Sequence, residues 1–263
     1  MAIALTIAGS DPSGGAGIQA DLKTFQQFGV YGEAAITLLT VQNTRAVSEV
    51  HTLSPDLITK QIRAVISDIP PAAAKTGALG NAEVIEAVAA LAESFAFPLV
   101  VDPVMVSKHG ARLLAPDAES ALRNKLFPHA LLVTPNLHEA EVLTGLSDMR
   151  AAGERLLDLG CRNVLIKGGH SPGEPIDLLF SANGVRAFEG RRVETRHTHG
   201  TGCTYSAAIT AGLALGHSLE EAVAQAKNFV QRAIETAPGL GAGNGPLNFN
   251  TSVRTDRPCR SKP

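Results

Sequence analysis

A short stretch late in the chain combines glycine, threonine and cysteine in a spacing that suits anion binding. It reads THGTGCT at residues 198–204 and leads into an Ala-rich segment with helical spacing. Two glycines at a helix entrance expose backbone N–H groups, and the unpaired amides and dipole of the helix favour an anion there. We therefore predict a phosphate site. Cys203 lies in the same field, which predicts a favoured thiolate; the alternative is a small buried hydrophobe.

Polar or charged groups also follow nearly every strand that the sequence predicts. Ligands of parallel α/β sheets bind beyond the carboxyl ends of the strands, so these groups should meet at one edge. Their concentration there predicts an active site. The groups are residues 9–17, Gln42 with Asn43, residues 75–77, residues 102–104, residues 134–136 and residues 167–170.

Strands and helices that alternate along the chain must position these groups. Short apolar runs predict strands at residues 2–8, 34–41, 72–75, 98–101, 130–134 and 163–167, and a β-hairpin at 176–181 and 185–189. Helical periodicity falls at residues 18–28, 55–67, 81–94, 116–126, 151–159, 204–215 and 218–236, with a short helix from Asn136. This order predicts a largely parallel sheet, covered on both faces and ending in antiparallel strands.

Composition narrows the class of partner. A chain of 263 residues with 44% hydrophobic residues, a net charge of -2 and a pI near 6.4 suits small-molecule chemistry better than nucleic acid or membrane binding. Three widely spaced cysteines favour a reducing, cytoplasmic location. No linker divides residues 1–247, so we predict a single domain. Residues 248–263 have few apolar side chains and are expected to be a mobile tail.

Two common nucleotide-binding motifs fit poorly. Gly15, Gly17 and Ala20 match G-x-G-x-x-A after a strand, as in nicotinamide dehydrogenases. That motif also needs an acid at the end of the second strand, where this chain has Gln42 and Asn43. The Walker motif G-x-x-x-x-G-K-[ST] occurs nowhere. A nucleotide would therefore have to be bound through the glycine-rich turn of residues 198–204.

Candidate partners for that nucleotide are a lysine and two carboxylates. Lys167 and Asp102 each follow a predicted strand, and Glu139 lies one helical turn after Asn136. Mg²⁺ typically binds one or two carboxylates together with phosphate oxygens and water, so this set suffices. An alternative makes Asn136 a helix N-cap and Glu139 its capping-box partner, and both roles can coexist.

Zinc binding is a weaker interpretation of the same turn. His197, His199 and Cys203 are zinc-binding residue types, but a helix entrance would have to bring all three together without an evident fourth ligand. We expect His199 to shape the turn instead.

Seven separated segments together resemble the hydroxymethylpyrimidine/phosphomethylpyrimidine kinases of thiamine biosynthesis, which belong to the ribokinase-like superfamily. The resemblance covers about residues 2–248. The segments are LTIAGSDPSGGAGIQADLKTF at 5–25, VQNT at 41–44, AAKTGALG at 73–80, VVDPVMV at 100–106, TPNLHEA at 134–140, KGGH at 167–170 and THGTGCT at 198–204.

The resemblance implies a fold and a reaction. The fold would be a ribokinase-like three-layer α/β/α arrangement with a mostly parallel central sheet. The reaction would be ATP- and Mg²⁺-dependent phosphorylation of 4-amino-5-hydroxymethyl-2-methylpyrimidine and then of its monophosphate, by a cytoplasmic homodimer. The alternatives are a pyridoxal or pyridoxine kinase, and a non-catalytic pyrimidine-binding sensor.

The resemblance also implies roles for particular residues. The glycine-rich segment 239–245 would border the adenine, and Ala78, where relatives carry a methionine, would widen the acceptor pocket. The anion hole would comprise Gly200, Thr201 and Gly202, with Cys203 in the position of the catalytic base. Gln42, Gly9, Asp21 and Val104 would contact the pyrimidine, Lys167, Asn136, Thr198 and Lys227 would contact ATP, and Asp102 and Glu139 would serve Mg²⁺.

Overall fold

A nine-stranded sheet forms the middle layer of the molecule. The computed structural model describes residues 1–108, 110–169 and 173–253. The strands are β1 (Ile3–Ser10), β2 (Tyr31–Gln42), β3 (Val47–Thr52), β4 (Ala73–Thr76), β5 (Leu99–Val101), β6 (Leu132–Val133), β7 (Val164–Ile166), β8 (Ile176–Ser181) and β9 (Gly184–Glu189). Their spatial order is β3-β2-β1-β4-β5-β6-β7-β8-β9. The six central strands are parallel, whereas β3, β8 and β9 pair antiparallel to their neighbours.

Helices cover both faces of this sheet. One face packs against α1 (Gly17–Gln27), α7 (Thr201–Ala214) and α8 (Leu219–Glu235). The other packs against α2 (Pro55–Asp68), α3 (Ala82–Ala92), α4 (Glu119–Ala121), α5 (Leu137–Thr144) and α6 (Met149–Asp158). Side chains of a strand alternate between the faces, so Leu5 and Ile7 join one core while Ala4 joins the other. The predicted three-layer arrangement is confirmed.

The active-site edge follows from the strand order. Strand β1 lies between β2 and β4, and the chain leaves β1 toward β2 and later returns on the other side at β4. Such a reversal opens a crevice at the carboxyl ends of the strands. The glycine-rich segment after β1 therefore lies at the crevice.

Two elements differ from the sequence-based expectation. Strand β3 was not predicted, because its residues VSEVHT are almost all exposed and only its pairing with β2 holds it. The helix expected at residues 116–126 is present but irregular: 3-10 turns at Pro116–Ala118 and Phe127–His129 and a π-helical turn at Leu122–Leu126 adjoin the short α4. Pro128 has no N–H group, which favours termination of regular helix there.

The expected tail begins with ordered contacts. Asn248 N donates to Ala233 O (3.0 Å), and Val253 packs against the core beside α8. The Lys23 ammonium lies 5.1 Å from the centre of the Phe249 ring. Residues 254–263, like His170, lie outside the described residues, so mobility of the tail stays a prediction. In the part of the chain that is described, no helix combines the length and apolar character that a membrane span requires.

Candidate active site

A cleft of ≈ 510 Å³ opens at the carboxyl edge of the sheet. Its walls contain every predicted site residue except Asp21. These residues are Gly9, Gln42, Val104, Asp102, Asn136, Glu139, Lys167, Thr198, Gly200, Thr201, Gly202, Cys203 and Lys227. The topology has thus brought together side chains from seven separate segments.

The predicted anion site is the N-terminus of α7. Gly200 caps the helix with φ 82°, and a Cβ at this position would collide with the carbonyl oxygen of Gly15, so only glycine fits. The first N–H groups of α7 have no acceptor within the helix: Thr201 N donates to Thr198 O (3.3 Å), and the next two residues, Gly202 and Cys203, line the cleft. Lys167 Nζ lies 3.4 Å from where a Cβ of Gly202 would be, so an anion bound here would also meet the ammonium.

Lys167 and Asp102 form a buried pair on the cleft wall. Lys167 Nζ donates to Asp102 Oδ1 at 2.9 Å, and the side chains are 13% and 2% exposed. Thr134 Oγ1 and Ser206 Oγ also donate to the Asp102 carboxylate, at 3.2 and 3.3 Å. Burial alone would lower the pKa of Lys167, but Asp102 and Glu139 reverse this and raise it. The lysine is therefore a permanent cation beside the anion site.

Glu139 combines a structural role with an unbalanced charge. Asn136 N donates to Glu139 Oε2 (2.8 Å) and Glu139 N donates to Asn136 Oδ1 (2.9 Å), so the predicted capping box is present. Burial raises the pKa of Glu139 to about 7, opposed by Lys167 and reinforced by Asp102. Two buried carboxylates share one lysine here, and a divalent cation would neutralise the excess charge. Among the described residues there is no cluster of three metal-binding side chains, so such a cation would also need phosphate oxygens or water.

Cys203 differs from the sequence-based expectation. The helix N-terminus predicts a favoured thiolate, but burial raises the pKa of the Cys203 thiol to about 12, while the nearby Lys75 acts in the opposite direction. Loss of hydration outweighs the positive charge because Asp21 and Asp102 also oppose a second anion there. Cys203 therefore carries its proton at neutral pH.

The side of the cleft where the resemblance places the acceptor lies between β1, β2 and the segment after β5. Gly9, Gln42 and Val104 line it as predicted, together with Leu38 and Ala78. Gln42 is half-buried at the end of β2 and keeps its amide toward the cleft. An amide between apolar walls is the arrangement that orients a small polar heterocycle.

Asp21 does not reach the cleft, although the resemblance assigns it to the substrate. It is fully buried, and both carboxylate oxygens accept from Lys75 Nζ at 2.9 Å. Thr6 Oγ1 donates to Asp21 Oδ2 at 2.6 Å. Because its acceptors are already used beneath the sheet edge, Asp21 joins α1 to β1 and β4.

Two groups were predicted to lie beside the nucleotide, Lys227 and residues 239–245. Lys227 lines the cleft, but its ammonium donates to Asp177 Oδ2 (2.6 Å) and Pro175 O (3.1 Å). Residues 239–245 are not among the residues that line the cleft. A Cβ at Gly243 would collide with the Thr44 carbonyl, so the segment packs against the β2–β3 turn on the acceptor side.

Sequence reasoning missed the residues that connect the two glycine-rich segments. The Asp11 carboxylate accepts from the backbone N–H groups of Ser13 (2.8 Å), Gly15 (3.2 Å) and Ala16 (2.9 Å). It also lies 2.8 Å from His199 Nε2. Asp11 followed by Pro and Gly residues is a turn signal that could have indicated this role, but its distant partner could not be read from the sequence.

Comparisons with known proteins agree with this geometry. The sequence profile of the family described as phosphomethylpyrimidine kinase matches residues 11–248. The hydroxymethylpyrimidine/phosphomethylpyrimidine kinase of Bacillus subtilis is 47% identical, over 97% of this chain and 98% of that protein. The thiamine biosynthesis bifunctional protein ThiED of Geobacter sulfurreducens is 51% identical over 93% of this chain, which spans 51% of that longer protein.

A solved structure with a similar fold comes from a kinase with another name. The pyridoxal kinase of Staphylococcus aureus, solved in complex with ADP, has a TM-score of 0.87 and 39% identity over 95% of this chain and 93% of its own. The family profile and the curated relatives, at higher identity, point to the pyrimidine kinases. The chain belongs to the phosphomethylpyrimidine kinase family.

Proposed function

We propose that this kinase transfers the γ-phosphoryl group of ATP to the hydroxymethyl oxygen of 4-amino-5-hydroxymethyl-2-methylpyrimidine, and a second phosphoryl group to the resulting monophosphate. One observation carries the proposal: the α7 N-terminus faces Lys167 and Asp102 across the position of the absent Gly202 side chain, in the same cleft as Gln42. Donors for a phosphoryl group and an amide for a pyrimidine thus share one cleft.

Charge neutralisation and positioning are the main tasks of such a site. Phosphoryl transfer passes through a loose transition state whose charge spreads over the equatorial oxygens. The N–H groups of Gly202 and Cys203 and the Lys167 ammonium are fixed before the substrates arrive, so they stabilise that charge without reorganisation. Asn136 and Thr198 line the cleft beside them and are proposed to contact ATP.

Cys203 is proposed to orient the acceptor hydroxyl. With the pKa of the thiol raised to about 12, almost no thiolate exists at neutral pH to remove a proton. The loose transition state leaves the hydroxyl proton in place until late, so a strong base is not required. A neutral thiol at the anion hole can still hydrogen bond to the hydroxyl and fix its direction.

Asp102 and Glu139 are proposed to hold Mg²⁺ together with the ATP phosphates. Both are buried on the cleft wall, and burial together with Asp102 raises the pKa of Glu139, which supports a second cation beside the two carboxylates. The ion would supply charge neutralisation at the phosphates. The chain's own residues would contribute two oxygen ligands and exclude bulk water around them.

A homodimer is proposed from the outer face of the β2–β3 ribbon. Side chains alternate along β2, so Thr40 and Gln42 line the cleft while Leu39 and Val41 face away, 44% and 51% exposed. Exposed aliphatic side chains at alternate positions near a sheet edge favour association with a second copy of the chain. The outer face of this ribbon is therefore the expected interface.

Phosphorylation of pyridoxal is a second candidate activity. It is favoured by the 0.87 TM-score of the Staphylococcus aureus pyridoxal kinase and by the small Ala78 side chain in the acceptor wall. The pyrimidine remains the preferred acceptor in this proposal, because the curated relatives of higher identity are named pyrimidine kinases. A non-catalytic sensor is disfavoured by the complete set of phosphoryl-binding groups.

Product identification tests the proposal. Incubation with ATP, Mg²⁺ and the hydroxymethylpyrimidine should yield the monophosphate and then the diphosphate, detected by ³¹P NMR. Omission of the pyrimidine should leave ATP unconsumed. ATP hydrolysis without any phosphorylated pyrimidine would reject the proposed reaction.

A further inference from the structure

His199 connects the acceptor pocket to the anion hole. It is only 3% exposed and immediately precedes Gly200, the cap of α7. Its backbone N–H donates to Gly245 O at 3.1 Å. A Cβ at Gly15 would lie 2.5 Å from the imidazole ring, so the ring is packed against the first glycine-rich segment. The side chain therefore has a fixed position relative to the glycine-rich segments 9–17 and 239–245.

Asp11 determines which atom of the imidazole carries a proton. Its carboxylate oxygens already accept from three backbone N–H groups, and Ser13 Oγ donates to Oδ1 at 2.7 Å. Burial alone would raise the pKa of Asp11, but hydrogen bonds from His199 and Ser13 hold it below its ordinary value. A carboxylate can only accept, so His199 Nε2, 2.8 Å from Oδ2, must donate.

The proton on His199 Nε2 in turn determines which end of the Gln42 amide faces His199. The Gln42 amide is placed with Nε2 at 3.2 Å from His199 Nε2 and Oε1 at 3.2 Å from Thr40 Oγ1, and a flip of the amide exchanges these two atoms. Two N–H donors facing each other repel, so the amide oxygen belongs beside His199 and the amide nitrogen beside Thr40. Thr40 Oγ1 can accept from that nitrogen because its own proton goes to Ser10 O at 2.9 Å.

We propose that His199 is a positioning residue that holds the Gln42 amide in one orientation and so selects an acceptor ring carrying an amino group beside a ring nitrogen. This inference rests on the proposed function. The single N–H of His199 Nε2 is shared between Asp11 Oδ2 (2.8 Å) and the Gln42 oxygen (3.2 Å), so the amide oxygen keeps an acceptor site, and the N–H not used by Thr40 remains a donor, for the cleft. An amino group donates to the first and the adjacent ring nitrogen accepts from the second. The reversed amide would present the opposite pattern.

Selectivity between two substrates tests this role more sharply than activity does. The experiment compares kcat/KM for 4-amino-5-hydroxymethyl-2-methylpyrimidine with that for the analogue lacking the 4-amino group, at saturating ATP. The wild-type enzyme should prefer the amino compound by about 10²-fold or more, because a buried partner is left unpaired by the analogue. His199→Leu should reduce this preference about tenfold or more, mainly through KM for the pyrimidine, with KM for ATP nearly unchanged.

Two variants separate positioning from a general structural role. His199→Gln places an N–H donor near the position of Nε2 and should restore most of the preference. His197→Leu is the matched control, because His197 belongs to the same turn but does not line the cleft; it should leave the preference unchanged. In a Gln42→Ala background, His199→Leu should change the preference by less than about twofold, since the group it positions is absent.

An unchanged preference in folded His199→Leu would overturn the proposal, and so would an equal loss in the Gln42→Ala background. If His199→Leu fails to fold, Thr40→Val removes the partner at the other end of the amide and must lower the preference; an unchanged value would again overturn it. A wild-type enzyme that phosphorylates neither compound would instead reject the proposed function.

Discussion

Two of the buried lysine–aspartate pairs in the described residues differ in their access to the cleft: Lys75–Asp21 is enclosed, and Lys167–Asp102 opens onto it. Lys75 and Asp21 are both fully buried, whereas Lys167 and Asp102 line the cleft. Each pair has an N–O distance of 2.9 Å. Similar chemistry therefore serves two purposes: the enclosed pair connects α1 to β4, and the open pair offers a positive charge to a ligand.

The difference arises from what lies above each pair. Asp21 is fully buried, accepts from Lys75 and Thr6, and does not line the cleft. Lys167 lies under Gly202, where the missing side chain leaves access to the ammonium. Exposure of the charged atoms, more than the residue types, separates a scaffold pair from a functional pair.

Substitution in the open pair, Lys167–Asp102, should lower kinase activity. Lys167→Met removes the ammonium but keeps much of the side-chain volume, and we expect kcat to fall by about 10²–10³-fold because one fixed donor to the transition state is lost. Steady-state kinetics with the hydroxymethylpyrimidine measures this. A Lys167→Met enzyme of near wild-type kcat would contradict the assignment of this lysine to the phosphoryl group.

Substitution in the enclosed pair, Lys75–Asp21, should lower the stability of the fold. Lys75→Met leaves Asp21 buried without a counter-charge and is expected to reduce the free energy of unfolding by about 3–5 kcal/mol. The double variant Asp21→Leu with Lys75→Met should recover most of this loss, because an apolar pair has no unpaired charge. Denaturant unfolding of the single and double variants makes the comparison. Unchanged stability with abolished turnover in Lys75→Met would place that pair in the catalytic machinery.

Substitution of Glu139, which lies beside the Lys167–Asp102 pair, should have the smallest effect of the three, and this effect is on thermal stability. Its folded-state pKa of about 7 exceeds the ordinary 4.5, so ionisation of this group opposes folding. Its contribution to stability is therefore present at low pH and is lost as pH rises through about 7. Glu139→Gln keeps the capping-box geometry and should raise Tm by about 5–10 °C at pH 8 without Mg²⁺, with a much smaller change at pH 5. Thermal scans at both pH values measure this, and an equal shift at both would contradict it.

The sequence was most informative where topology alone decides proximity. Parallel strands bring their carboxyl ends to one edge, so Gln42, Asp102 and Lys167 could be placed together although they lie far apart in the chain. Capping chemistry is local, and the Asn136–Glu139 box was predicted for the same reason. Strand β3 was missed because an exposed edge strand has no buried pattern to detect.

The remaining predictions failed where a residue's role depends on a partner far away in the sequence or on how deeply the side chain is buried. The enclosure of Asp21 depends on Lys75, 54 positions later, and no local pattern reports it. The ionisation of Cys203 depends on the balance between the helix field and burial, and only the packed structure shows that burial prevails. The Asp11–His199 contact joins residues 188 positions apart and needed the complete fold to appear.

The most direct test of the account is a competition for limiting ATP between 4-amino-5-hydroxymethyl-2-methylpyrimidine and pyridoxal, with both phosphorylated products quantified by mass spectrometry. We expect the pyrimidine products to dominate and kcat/KM for the pyrimidine to be the larger, since Gln42 is proposed to bind an amino group beside a ring nitrogen. Predominant formation of pyridoxal phosphate, or no phosphorylated pyrimidine at all, would contradict it.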